Sequence, residues 1–211
     1  MTKDEFKDNL NNFNPYTTEQ EKNALIQTME SSFTLVKICK ILGIEAANEL
    51  EAEAFIFKLR EISVADLIEI THTCKNCGYQ DFFNLSIPKM FFKDLVEDYK
   101  IIEDIDELDE DFINNKSLTE YNELENNIDE TNRKIFDPIC ELFCKKCGTG
   151  FRTKPEVPNI ISKYPIKNIF EQYLDISTFT NMTKRDTDTM IPYEREIFLG
   201  LIQVKEDKKG S

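Results

Sequence analysis

An α+β fold, mainly helical, is predicted by three observations. Apolar residues recur at helical spacing over both ends of the chain. Short alternating stretches lie in its middle. The middle also carries one motif twice, as Cys74-Lys75-Asn76-Cys77-Gly78 and as Cys144-Lys145-Lys146-Cys147-Gly148. These features divide the chain into an N-terminal helical region (1–66), a β module (67–153) with an insertion at 88–139, and a C-terminal helical region (154–211).

A Cys-x-x-Cys-Gly turn sets two sulfurs on one tight bend, and its glycine lets backbone amides approach them. Two such knuckles supply the four thiolates of a closed tetrahedral zinc site, so Cys74, Cys77, Cys144 and Cys147 are the candidate ligands of one structural Zn2+. Four cysteines leave no open position for a substrate water, and the expected role is to hold a fold. The β module is then a zinc ribbon split by its insertion. Lys75, Lys145 and Lys146 partly offset the thiolate charge. Cys39 falls inside an apolar helical stripe and reads as a small buried hydrophobe, and Cys140 reads as a spare. His72, the single histidine, lies two residues before Cys74 and is assigned to the ribbon surface or to support of the ligands.

The 211 residues are 40% hydrophobic, with 16 Phe and 7 Tyr, enough for a substantial core. A formal charge of −14 opposes a nonspecific grip on nucleic acid, so no direct DNA or RNA partner is expected. No apolar run approaches the length of a membrane span, and acidic residues near the N-terminus stand where a signal peptide needs an apolar core. A soluble protein in a reducing compartment is the expectation.

The elements follow in order. Phe6, Leu10 and Phe13 suit a short amphipathic helix or a docking arm. Thr17 or Thr18 caps a long helix, with Gln20 or Glu21 completing the box, and its apolar stripe runs to Gly43 as C-cap. A second helix spans 45–60. Leu67 to Thr73 alternates as a strand into the first knuckle, and Tyr79 to Ile87 returns from it. Pro88 ends the pairing. From Asp94 to Glu130 there are 15 acidic residues and two lysines, with Ile101, Ile105, Leu108 and Phe112 at helical spacing. This segment is read as a solvated insertion, or as a docking element or charge guard against premature contacts. Lys134 to Phe143 leads back to the second knuckle, and Thr149 to Thr153 leaves it. Pro155 and Pro158 mark a boundary, after which 160–174 makes one or two helices reset near Pro165. Thr178 to Thr189 reads as a loop, and Pro192 opens a last helix.

No phosphate loop, dinucleotide fingerprint or hydrolase elbow is present, and a lone histidine leaves little acid–base chemistry to assemble. A non-enzymatic protein is expected. The residues alone also fit a transcription accessory protein whose zinc ribbon binds polymerase or another basic protein.

One segment is more specific. Phe57-Lys58-Leu59-Arg60-Glu61-Ile62-Ser63-Val64 enters Ile68-Glu69-Ile70 and then the first knuckle. This order resembles the baseplate hub assembly proteins of T4-type contractile-tailed bacteriophages, with the likeness concentrated between Glu51 and Thr153. The resemblance implies a structural or assembly protein that docks baseplate hub or wedge components, located in the host bacterial cytoplasm during assembly or in the virion tail baseplate. It implies metal ligation by Cys74, Cys77, Cys144 and Cys147, and a bracing role for Leu59, Arg60, Ile62 and Ser63 beside the ribbon. The long acidic insertion departs from a compact version of the pattern.

Overall fold

The computed structural model describes residues 12–91 and 136–208. The expectations for 3–11 and for the acidic stretch 94–130 lie outside the described residues.

The first helix, α1 (Thr18–Gln27), starts where its cap chemistry dictates. The Thr17 hydroxyl accepts from the Gln20 N–H while the Gln20 side chain accepts from the Thr17 N–H, a reciprocal capping box. The expected continuous helix to Gly43 is instead two helices. After α1 the Thr28 hydroxyl donates to the Leu25 carbonyl, a turn follows through Ser31 and Ser32, and Thr34 caps α2 (Leu35–Ile41). Ser and Thr compete with a helix for its own backbone groups, and here that competition overrode the apolar spacing. Gly43 sits just past the C-cap at φ +91°, the left-handed conformation that closes a helix.

Helix α3 (Glu49–Ser63) begins four residues later than the sequence reading, because Asn48 accepts from the Glu51 N–H as its N-cap. It is the central element: Phe55, Ile56, Phe57 and Leu59 are all at most 1% exposed. Strands β1 (Leu67–Thr73) and β2 (Gln80–Ser86) pair antiparallel, followed by a 3-10 turn at Ile87–Met90 that contains Pro88. Strands β3 (Cys140–Phe143) and β4 (Gly150–Thr153) form a second hairpin. The mixture of helices with two small sheets is α+β.

The C-terminal region holds α4 (Val157–Ile161), α5 (Ile166–Phe179) with Pro165 at its N-cap, α6 (Lys184–Thr189) and α7 (Pro192–Asp207). Helix α6 corrects the loop expected over 178–189. Its polar sequence KRDTDT hides the helix, but a Thr183–Asp186 capping box starts it and Thr187 and Asp188 are buried. Pro192 opens α7 as expected.

The two helical regions pack together. Thr18 donates from both N–H and hydroxyl to the Met190 carbonyl at 2.7 and 2.9 Å. Arg195 bridges to Glu21 at 2.6 Å, and both side chains are 1% exposed. Ser162 donates to the same carboxylate at 2.6 Å, and Lys22 pairs with Asp188 at 3.2 Å. Buried charges persist only where paired and hydrogen-bonded, so this network fixes how the C-terminal helices lie on α1.

A candidate metal centre between two hairpins

Each knuckle is a copy of the other in geometry. The Gly78 N–H donates to the Cys74 carbonyl and the Gly148 N–H to the Cys144 carbonyl, both at 2.9 Å. Gly78 and Gly148 sit at φ +66° and +70°, a conformation that costs an ordinary side chain about 1 kcal/mol or more. The Cys74 N–H then reaches the Tyr79 carbonyl and the Cys144 N–H the Thr149 carbonyl, at 2.9 and 3.0 Å. These bonds turn each chain so that both of its sulfurs point to the other hairpin.

The structure brings the four predicted cysteines together. The sulfurs of Cys74, Cys77, Cys144 and Cys147 all lie within 4.8 Å of one another, an arrangement that can hold a metal ion. The first cysteine of each knuckle faces the second of the other: Cys74 to Cys147 at 3.6 Å and Cys77 to Cys144 at 3.7 Å. A tetrahedral Zn–S distance of about 2.3 Å requires sulfurs about 3.8 Å apart. The donor set and its spacing are compatible with zinc.

The surroundings treat the four thiols unequally. The Thr149 hydroxyl, 3.2 Å from the Cys147 sulfur, and the Thr149 backbone N–H bring that thiol down to about 6. The Tyr79 backbone N–H favours the Cys77 thiolate, but desolvation and the three neighbouring thiols outweigh it and push Cys77 up to about 12. A bound divalent cation converts such a set to thiolates and releases their protons. The Asn76 amide donates to Thr149 at 3.1 Å, linking the first knuckle to the second.

The other cysteines stand apart. Cys39 is fully buried, its thiol directed to the Ala52 carbonyl, and burial followed by Glu49 and Glu51 raises it to about 12. Cys140 is half-buried on β3 and is raised by desolvation and Asp137. His72 is no member of the cluster. Its ring stacks on Phe151 at 3.6 Å and 6°, and Phe83 meets the same ring edge-on at 5.5 Å. The two hairpins therefore share an aromatic seam as well as the sulfurs.

Sequence reasoning missed Asp81. It occupies an inward register position of β2, in line with Phe83 and Leu85, and is 4% exposed. Its carboxylate accepts from the Lys145 N–H at 3.0 Å, the Lys145 ammonium at 2.8 Å and the Phe82 N–H at 2.9 Å. Desolvation pushes this carboxyl up, but the Lys145 ammonium and the two backbone donors outweigh it and hold it below the ordinary carboxylate range. An acid in an apolar alternation was the available signal. Asp81→Ala removes a cross-hairpin clamp and leaves the Lys145 N–H without its present acceptor, so the urea midpoint is expected to fall. Urea unfolding of the metal-loaded protein measures it, and an unchanged midpoint would refute the clamp.

Comparison with known proteins returns no match: no family model, no curated protein and no solved structure matches the chain. Among the described residues, no helix is long and apolar enough to cross a membrane.

Proposed function

We propose that this chain is a non-enzymatic phage baseplate structural or assembly protein that docks other tail proteins, with one structural zinc held by Cys74, Cys77, Cys144 and Cys147. The observation that carries the metal part of this reading is the four-sulfur cluster joining the hairpins on either side of the insertion, and the docking role rests on the resemblance. A zinc bound there is coordinatively closed; it supplies cross-linking and polarises no substrate. Its work is to tie together, as one surface, two knuckles with 66 residues of chain between them.

The segment that carries the resemblance supports the bracing role it implies. Arg60 donates to the Leu67 carbonyl at 3.0 Å, at the entry to β1, and to the Ile160 carbonyl at 3.4 Å in α4. The Ser63 hydroxyl accepts from the Tyr16 N–H at 3.0 Å. Helix α3 thereby anchors the first hairpin to the helical body. On the outward strand positions Phe82 and Phe143 are 69% and 64% exposed, large apolar groups available for a protein partner.

Native mass spectrometry of the protein isolated from its source with partners attached tests the proposal. The expected complexes contain tail baseplate proteins and one zinc per chain. Polymerase subunits in their place would replace this reading with the transcription alternative, and partner-free chains would remove the docking role.

A further inference from the structure

A cavity of about 420 Å³ lies where the outward face of the first hairpin meets the end of α4. Arg60, Thr71, Phe82, Asn84, Asn159 and Ser162 are among the residues that line it. Arg60 and Ser162, at 2 and 4% exposed, are its buried members, whereas Thr71, Phe82, Asn84 and Asn159 are open to solvent. Ligand pockets of this size combine apolar walls with a few polar groups that fix orientation.

Arg60 is the member that needs explaining. Three cations are buried among the described residues: Lys22, Arg60 and Arg195. Lys22 has Asp188 and Arg195 has Glu21. Arg60 has no carboxylate. It donates to the Leu67 and Ile160 carbonyls at 3.0 and 3.4 Å, and its Nε–H has no acceptor. The Arg195 Nε–H also lacks an acceptor, but there the charge is met by Glu21. Carbonyl oxygens accept hydrogen bonds without neutralising a guanidinium, and a buried charge without a counter-charge is costly. Burial accordingly pulls the Arg60 guanidinium down from its ordinary pKa. The one buried cation without a carboxylate is also the one that borders this cavity.

The rest of the lining narrows the ligand. Two cations, Arg60 and Lys163, stand against one carboxylate, Glu69, and Lys163 already faces Glu196 at 3.7 Å. A single negative charge balances Arg60, whereas a phosphate dianion would be repelled by Glu69 and Glu196. The side chains of Thr71, Asn84 and Asn159 make no hydrogen bond among the described residues, so a hydroxyl and two amides are free to donate to an entering oxygen. Phe82, 69% exposed, and Ile70 give the cavity an apolar wall. A cation, free donors and an apolar wall together fit a carboxylate on a short aliphatic stem.

We infer that this cavity binds a monocarboxylate, with Arg60 as its counter-ion and Asn84 and Asn159 as hydrogen-bond donors. The inference goes beyond the docking reading and stands without it, since small molecules test it. The full chain is titrated with sodium acetate, with N-acetylglutamate α-amide as a model of an acidic side chain, and with inorganic phosphate and sodium chloride at matched ionic strength. Nuclear magnetic resonance follows the Arg60 Nε–H and the side-chain amides of Asn84 and Asn159. Both carboxylates are expected to move these signals saturably, and chloride and phosphate are not. Tighter binding of the capped glutamate than of acetate identifies a protein side chain as the ligand, and the reverse order a free carboxylate. Asn159→Asp, at an exposed position that leaves the fold intact, is expected to weaken binding about tenfold, equivalent to about 1.4 kcal/mol. Glu69→Gln is expected to tighten it. Signals unmoved by either carboxylate overturn the inference, as does an equal response to chloride or an affinity indifferent to both substitutions. Phosphate binding as tight as acetate overturns the choice of a monocarboxylate.

Discussion

Cys74→Ser is expected to release the proposed zinc and unfold the second hairpin while the helical body survives. The asymmetry follows from where each hairpin is anchored. β1 and β2 contribute Ile68 and Leu85 to the core, at 0 and 3% exposed, and Ile87 just beyond β2 is fully buried. β3 and β4 have no fully buried side chain, and their inward residues Cys140, Leu142, Phe151 and Thr153 are only half-covered. A two-stranded hairpin without a core is marginal in water, so β3 and β4 depend on the sulfurs, the aromatic seam and Asp81. Zinc-finger peptides gain about 10–16 kcal/mol from metal at neutral pH, and loss of even a fraction exceeds what so small a hairpin can supply. Hydrogen exchange is the measurement. Amides of 140–143 and 150–153 should lose protection in Cys74→Ser, and in the wild type under chelator, while those of α3 keep theirs. Unchanged protection in β3 and β4 would show that the metal does not hold them.

The second large effect lies in the helical body. Arg195→Met should destabilise the protein by about 3–5 kcal/mol, because it leaves the Glu21 carboxylate buried with its ionic partner gone. Glu21 is 1% exposed and accepts from Arg195, and after the change only the Ser162 hydroxyl remains among its present side-chain donors. For a chain of this size each kcal/mol moves the thermal midpoint by about 2–4 °C. Replacing both partners with methionine should recover most of the loss, since a packed apolar pair needs no desolvation of charge. Denaturant unfolding of the single and double variants measures both effects. A double variant as unstable as the single would mean that Arg195 acts through packing rather than as the partner of Glu21.

What could be read from the sequence was local. Both knuckles, the Thr17–Gln20 capping box, Gly43 as a helix terminator and Pro192 as a helix opener depend on residues a few positions apart, and each is where its local chemistry puts it. Cys39 was legible because its neighbours form an apolar stripe. The long helix through Gly43 was misread because periodicity outweighed the Thr28–Thr34 turn. Helix α6 was missed because it has almost no apolar residue. The Arg195–Glu21 pair spans 174 positions and was not legible, since any of the acidic residues was an equally good partner on paper. Asp81 sat in view as a charge in an apolar alternation, but only the approach of the second hairpin shows why it is there.

Native mass spectrometry of the purified full chain reads whether the two knuckles share one zinc. One zinc per chain is expected, with the displaced thiol protons missing from the mass, and loss of that zinc in Cys74→Ser and in Cys144→Ser alike. A metal-free wild type, or a zinc that survives removal of either knuckle's first cysteine, would contradict it.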